Sequence, residues 1–255
     1  MELLNSANRN RSGASKGSKD VSSVRMNTQV FIDFDGTLAP GDPTDTLLDR
    51  FADRSWLELE AEFKAGRLTS RACMAQQIGL IRATPAEYDA LVGSMTIDPH
   101  FAAFAALCDA NEIPMTIVSD GPDRSIELLL RKAGLNLPYF ANKLEWLGDN
   151  RWQLGFPHAR IDCAMVAGNC KCQFTERFPA STQIMIGDGR SDFCISNRVD
   201  LVFAKGALAK HCEANGLAHH PIRDFRDATR HMTNWLEGRL GLANEDLDSV
   251  GTAAA

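Results

Sequence analysis

The apolar positions of this chain fall into short runs separated by longer amphipathic stretches. Val-Phe-Ile-Asp-Phe occupies residues 30–34, Ile-Pro-Met-Thr-Ile-Val 113–118, Thr-Gln-Ile-Met-Ile 182–186 and Asp-Leu-Val-Phe-Ala 200–204. Runs that are apolar on successive positions suit strands of a parallel sheet covered on both faces. Between them, apolar residues recur at helical spacing. Asp98 reads as the cap of a helix carrying Phe101, Phe104, Ala105 and Cys108, and Pro122 opens another with Ile126, Leu129 and Leu130 inward and Gly134 just past its end. The alternation predicts an α/β fold with a doubly wound parallel-sheet (Rossmann-like) core.

Residues 44–97 contain no strand-like run. They read as three successive amphipathic helices, the first running from residue 44 to about 66 and the next two capped by Thr69 and Thr84. A helical block inserted after the first strand predicts a small helical cap over the strand ends. Gly148-Asp149-Asn150, within an aromatic stretch over 138–160, predicts a hairpin at the sheet edge. The expected division is a core of 28–43 and 98–238, a cap of 44–97, a disordered tail at 1–27 and a frayed one at 239–255. Met26 offers an alternative start just before the first strand, with an Arg- and Ser-rich transit segment as the weaker reading of the residues ahead of it.

Composition narrows the function. A chain of 255 residues with 44% hydrophobic content can form one large domain or a core with a smaller insert. Residues 1–27 hold five Lys/Arg against two acids; taken from the chain total of −6, this leaves the remainder at −9. Such a surface argues against nucleic acid as a partner. No apolar run approaches a membrane span, so the expectation is a cytoplasmic protein, monomer or homodimer, with no membrane partner. The seven cysteines are odd in number and scattered, which suits free thiols in a reducing compartment. Cys163, Cys170 and Cys172 cluster in sequence, but they lack a CxxC pair and an obvious fourth ligand for a soft metal.

Three of the apolar runs break at polar residues and glycine. Asp33 and Asp35 end the first, Ser119, Asp120 and Gly121 the second, and Asp188 the third, with Asp192 four residues on. Ligands of open parallel sheets bind beyond the carboxyl ends of the strands. Carboxylates converging there repel one another unless a hard cation sits among them, and oxygen-only ligands point to Mg²⁺. Taken singly, each residue has a plainer reading: Ser119 caps the helix at Pro122, and Lys171 is a surface lysine.

Taken together they form a four-part pattern. DFDGT at 33–37, Ser119, Lys171 in GNCK, and GDGRSD at 187–192 resemble the motifs of the haloacid dehalogenase superfamily phosphatases, over roughly residues 28–237. The insert after the first strand resembles the small cap of the phosphoserine-phosphatase-like branch. The resemblance implies that Asp33 is the nucleophile and forms an aspartyl-phosphate, and that Asp35 is the general acid and base. It implies Mg²⁺ held by Asp33, the main-chain carbonyl of Asp35 and Asp188, with Asp192 supporting the metal's water shell. Ser119 and Lys171 would bind phosphoryl oxygens beside Asp120 and Gly121, and the ligand would be a small phosphorylated metabolite. P-type pumps are excluded, since no membrane segments exist. A non-catalytic phosphate-binding regulator would be free to lose Asp33 or Asp35, and both are present.

Within the branch, phosphoserine phosphatases usually carry DFDST, a glutamate nine residues beyond the nucleophile and a Ser-Gly-Gly second motif. This chain has DFDGT, Asp42 and Ser119-Asp120-Gly121. The departures, FPHAR at 156–160 and the cysteine-flanked Lys171 look closer to the methionine-salvage phosphatases acting on 2-hydroxy-3-keto-5-methylthiopentenyl-1-phosphate. Gly187 to Cys194 also resembles phosphocholine and phosphoethanolamine phosphatases. Asp42 either meets a polar group of the substrate or caps the helix after Pro43. His158 reads as a structural hydrogen-bonding residue. Phe63, Arg67, Arg71 and Met74 are the candidates for shaping the pocket from the cap.

Overall fold

A computed structural model describes residues 27–238 and residue 240. Residues 1–26, the alternative start at Met26 included, and 239 and 241–255 of the C-terminal segment lie outside the described residues. Among the described residues, seven strands, β1 (Thr28–Ile32), β2 (Met115–Pro122), β3 (Tyr139–Gly148), β4 (Arg151–Gly155), β5 (Thr182–Gly187), β6 (Leu201–Ala204) and β7 (His220–Pro221), form one sheet in the order β4-β3-β2-β1-β5-β6-β7. Every neighbouring pair is parallel except β3 with β4. The strand that opens with TQVFI is therefore central, paired with β2 on one side and β5 on the other, and every residue in it is buried. Its side chains alternate between two apolar layers: Val30 and Ile32 join one cluster, Phe31 the other.

Helices α1 (Pro43–Phe51), α2 (Trp56–Lys64), α3 (Ser70–Leu80) and α4 (Pro85–Ser94) lie between β1 and the next core helix, α5 (Phe101–Ala110). Thr69 caps α3, and Thr84 forms a reciprocal capping box with Glu87 on α4, as the sequence predicts. The stretch read as one helix from residue 44 is two. Ala52 is extended and the Asp53 carboxylate accepts from the Ser55 amide at 2.9 Å, so the chain turns and restarts at the buried Trp56. The edge hairpin turns through Asp149 and Asn150, both at positive φ. It supports the helical layer: Trp152 Nε1 donates to the Ala83 carbonyl at 2.8 Å, and the Trp152 and Tyr88 rings lie 5.1 Å apart.

The remaining helices are α6 (Asp123–Lys132), α7 (Gln173–Arg177), α8 (Phe193–Ser196), α9 (Gly206–Asn215) and α10 (Phe225–Leu236). On one face α5 packs on α10 through Phe101, Phe104 and Phe225, whose ring centroids lie 4.9–5.4 Å from Phe225. Asp98 does not cap α5 through its first turn. Its carboxylate accepts from the His100 and Phe225 amides, tying the starts of α5 and α10 together across the sequence. The two-residue β7 has no apolar run to announce it. Among the described residues, no helix is long and apolar enough to cross a membrane.

Candidate active site

The carboxyl ends of β1, β2 and β5 converge, and the chain leaves each strand through a turn that presents a side chain. After β1, Asp33 folds its carboxylate back to accept from the Phe34 amide at 2.8 Å, and the Leu38 and Ala39 amides close the loop onto Asp33 and Phe34 carbonyls. Gly36 lies at φ 72 in this loop, and a Cβ there would sit 2.6 Å from Asp188 Oδ2. Glycine is needed for both the backbone angle and the approach of the two strand ends. The Thr37 hydroxyl donates to Asp188 Oδ1 at 2.9 Å.

Lys171 is fully buried, which is rare for lysine without partners. Its ammonium donates to Asp33 Oδ1 and to Asp192 Oδ1, each at 2.6 Å. Burial pulls its pKa down, but Asp192 and Asp33 outweigh this and hold it above its ordinary value, so Lys171 is a fixed positive charge. The other oxygen of Asp192 accepts from the Asp188 and Gly189 amides at 3.1 Å. Asp192 thus fixes both the lysine and the turn that carries Asp188.

Burial pushes the Asp33 carboxyl well above its ordinary value; Asp192 and Asp188 add to the rise, and Lys171 opposes it. Asp188 is raised for the same reasons, burial first and then Asp192, with the Thr37 hydrogen bond opposing. One carboxylate oxygen from each of Asp33, Asp188 and Asp192 lies within 4.8 Å of the others. Crowded, buried, oxygen-only donors that resist ionising together fit a hard divalent cation such as Mg²⁺.

Asp35 is held from two directions. Thr44, in the first turn of α1, donates to Asp35 Oδ1 through its hydroxyl at 3.0 Å and its amide at 3.3 Å; Ser119 donates to Oδ2 at 3.1 Å. Burial raises the Asp35 pKa, and these bonds pull against the rise. Ser119 Oγ in turn accepts from the Gly121 amide at 2.9 Å. A Cβ on Gly121 would strike Asp35 Oδ2.

Asp120, expected beside the phosphate, commits its carboxylate to protein donors. It accepts from Ser70 Oγ at 2.6 Å, the Asn169 amide at 2.7 Å and Asn142 Nδ2 at 3.2 Å. It therefore ties the start of α3 to the segment leading into Lys171, and its main-chain carbonyl is likewise taken, by Asn142 Nδ2 at 2.5 Å. Asp42 is the N-cap of α1, accepting from the Asp45 amide at 3.0 Å with φ 43. Burial, Asp35 and Asp45 push its carboxyl up to about 8.

Of the cap residues singled out, Phe63 lies under the Arg190 guanidinium at 5.3 Å, and the Arg71 amide donates to the Val166 carbonyl. Arg67 is turned outward to Glu62. Met74 packs at the border of the main apolar cluster. His158 packs edge-on against Phe140, and its carbonyl accepts from the Cys170 amide. Thr44, Ser70, Asn142 and Asn169 hold the site together and were not legible as site residues. Asn169 offered the clearest signal, standing two positions before Lys171 in GNCK.

The family model described as haloacid dehalogenase-like hydrolase matches residues 30–196. A protein of Exiguobacterium sp. named 2-hydroxy-3-keto-5-methylthiopentenyl-1-phosphate phosphatase is 30% identical over 212 residues, covering 81% of this chain and 98% of its own. A protein of that name from Brevibacillus brevis is 28% identical over 207 residues, covering 79% and 93%. Among solved structures, a phosphoserine phosphatase carrying a phospho-aspartyl intermediate analogue superposes with a TM-score of 0.63 at 18% identity, covering 80% of this chain and 98% of its own. A hydrolase from Salmonella enterica serovar Typhi gives 0.61 at 20% identity, covering 78% and 68%. At these identities the superpositions speak for the fold.

Proposed function

Because the chain belongs to the haloacid dehalogenase-like hydrolase family, we propose that it is a Mg²⁺-dependent phosphomonoester hydrolase working through a phosphorylated Asp33. The observation that carries this reading is the buried Lys171, whose ammonium is shared by Asp33 and Asp192 at 2.6 Å, beside an Asp35 fixed from both sides. A carboxylate kept beside a permanent cation can act as a nucleophile without a base to activate it.

In this reading Asp33 attacks phosphorus, a P–O bond forms to its carboxylate, and the bond to the substrate oxygen breaks. Protonated Asp35 gives its proton to the departing oxygen, then takes one from the water that cleaves the aspartyl-phosphate. Lys171 and Ser119 donate to the phosphoryl oxygens, and the Gly121 amide lies in the same turn. Asp33, Asp188 and the main-chain carbonyl of Asp35 would hold Mg²⁺, which would supply neutralisation of the charge between nucleophile and phosphate. Thr37 and Asp192 keep Asp188 aimed.

The substrate we infer is a small monoester of the methylthiopentenyl-phosphate type, as named for the relatives. An acidic rim supports it: Asp42 and Asp45 face Asp35, and all three carboxyls are raised. Asp42, raised to about 8, keeps its proton at neutral pH and so offers a hydrogen bond rather than the charge that would match the ammonium of serine phosphate, which favours an uncharged tail. The test is phosphate release from 2-hydroxy-3-keto-5-methylthiopentenyl-1-phosphate, phosphoserine, phosphocholine and phosphoethanolamine, with Mg²⁺, beside Asp33→Asn and an EDTA control. Release confined to wild type with metal, and greatest on the methylthiopentenyl ester, is expected. Release that survives EDTA or Asp33→Asn overturns the mechanism, and a preference for phosphoserine overturns the substrate assignment.

A further inference from the structure

Lys171 stands between two cysteines whose thiols meet. Cys170 Sγ and Cys172 Sγ lie 3.3 Å apart, in a turn closed by the Gln173 amide on the Cys170 carbonyl and the Phe174 amide on the Lys171 carbonyl. The thiol of Cys163 lies against Cys170 on one side, and Cys194 meets Cys172 on the other. All four belong to the apolar layer built on Phe31, Phe174 and Met185. Cys170 and Cys172 are buried, whereas Cys194 is partly exposed, at the start of α8 and two residues from Asp192. Among the described residues, the three carboxylates near Lys171 are the group close enough together to hold a metal; the four sulfurs are neighbours without meeting that closeness. Neighbouring thiols that reach from the partly exposed Cys194 to both neighbours of a buried lysine suit thiol–disulfide exchange.

We propose that Cys170 and Cys172 form a reversible disulfide that displaces Lys171, with Cys194 as the point of entry for a hydroperoxide. The Cys194 sulfur attacks the peroxide; its O–O bond breaks, an alcohol or water leaves, and Cys194 becomes a sulfenic acid. Cys172 attacks that sulfur, the S–O bond breaks, water leaves, and a Cys172–Cys194 disulfide forms. Cys170 then attacks the Cys172 sulfur, giving the Cys170–Cys172 bond and returning Cys194 as a thiol. Two thiols are oxidised by two electrons, and one hydroperoxide is reduced.

The bond must shorten the sulfur separation from 3.3 Å to about 2 Å, which draws together the backbone on both sides of Lys171. The lysine is enclosed on all sides, so its ammonium cannot keep both 2.6 Å contacts while its main chain moves. A shift of an ångström in a positioned group costs about 100-fold in turnover. That loss rests on the phosphatase reading; formation of the bond does not.

The experiment treats the reduced full-length protein with hydrogen peroxide. Free thiols are then alkylated, disulfide-linked peptides are mapped by mass spectrometry, and phosphate release is followed in the same samples. The expected result is a Cys170–Cys172 linkage, activity reduced about 100-fold and recovered with dithiothreitol, and slow linkage with retained activity in Cys194→Ser. Cys172→Ser, active when reduced, should resist peroxide. An active reduced protein that forms no Cys170–Cys172 bond, that keeps its turnover once the bond forms, or whose thiols hold stoichiometric zinc, overturns the inference. A mapped bond in a protein that releases no phosphate when reduced supports the disulfide and overturns the phosphatase reading.

Discussion

Asp33→Asn should abolish phosphate release and at the same time make the metal-free protein more stable. The carboxylate oxygens of Asp33, Asp188 and Asp192 lie within 4.8 Å of one another. At an effective dielectric of about 20, each like-charged pair at that separation costs about 3.5 kcal/mol, so Asp33 meets about 7 kcal/mol of repulsion. Lys171, at 2.6 Å, returns about 6 kcal/mol on the same scale. The two nearly cancel, which leaves the burial of the Asp33 charge unmatched, in line with its raised pKa. Asparagine keeps an oxygen for Lys171 and the Phe34 amide while removing the charge. A gain of about 1–3 kcal/mol is expected, or roughly 2–10 °C in melting temperature for a domain of this size. Thermal unfolding in EDTA and in excess Mg²⁺ checks it: the variant should melt higher than wild type in EDTA, and Mg²⁺ should raise wild type more than the variant. A variant that melts at or below wild type in EDTA refutes the balance of charges drawn here.

Lys171→Met should have the opposite effect, leaving Asp33 and Asp192 buried without their cation at a cost of about 3–5 kcal/mol; urea unfolding of the two proteins measures it. Gly121→Ala should lower turnover about 100-fold, because the added methyl strikes Asp35 Oδ2 and moves the acid; steady-state kinetics beside the melting curve separates this from a loss of fold. Asp42 has a carboxyl raised from 3.8 to about 8, so the folded chain holds a proton that the unfolded chain releases near pH 4. Stability therefore falls as pH rises from about 4 to about 8. Asp42→Asn, which keeps the helix cap, should flatten that slope and gain on the order of 1–3 kcal/mol at pH 8 in EDTA after allowance for solvent screening.

The residues of the candidate site are legible because each combines a residue type with a position that a parallel sheet makes meaningful. Asp33, Ser119 and Asp188 end apolar runs, and ends of central strands are where such sheets bind ligands. Lys171 follows no strand and became visible through the four-part pattern alone; its burial emerges only when Asp33, 138 residues away in sequence, meets it in space. The break at Ala52 is hidden in the sequence because Asp53 and Ser55 are compatible with either a helix face or a turn, and the choice is made by where Trp56 can be buried. Asp98 shows the same limit. A carboxylate before an apolar helical stretch predicts a cap, yet here it serves the amide of Phe225, 127 residues on. Local chemistry identified the kind of bond but not the partner.

What holds Asp35 also suggests how it is released. Ser119 has one hydroxyl proton, and it goes to Asp35 Oδ2. A phosphoryl oxygen that takes this bond leaves Oδ2 without its donor, so one of the interactions that lower the Asp35 pKa disappears on ligand binding. The remaining donor, Thr44, sits on α1 and holds the other oxygen. On the proposed mechanism, phosphate arrival would therefore favour the protonated acid while Thr44 keeps it in place. In that mechanism the same hydroxyl would serve both as phosphate ligand and as the switch that readies the acid.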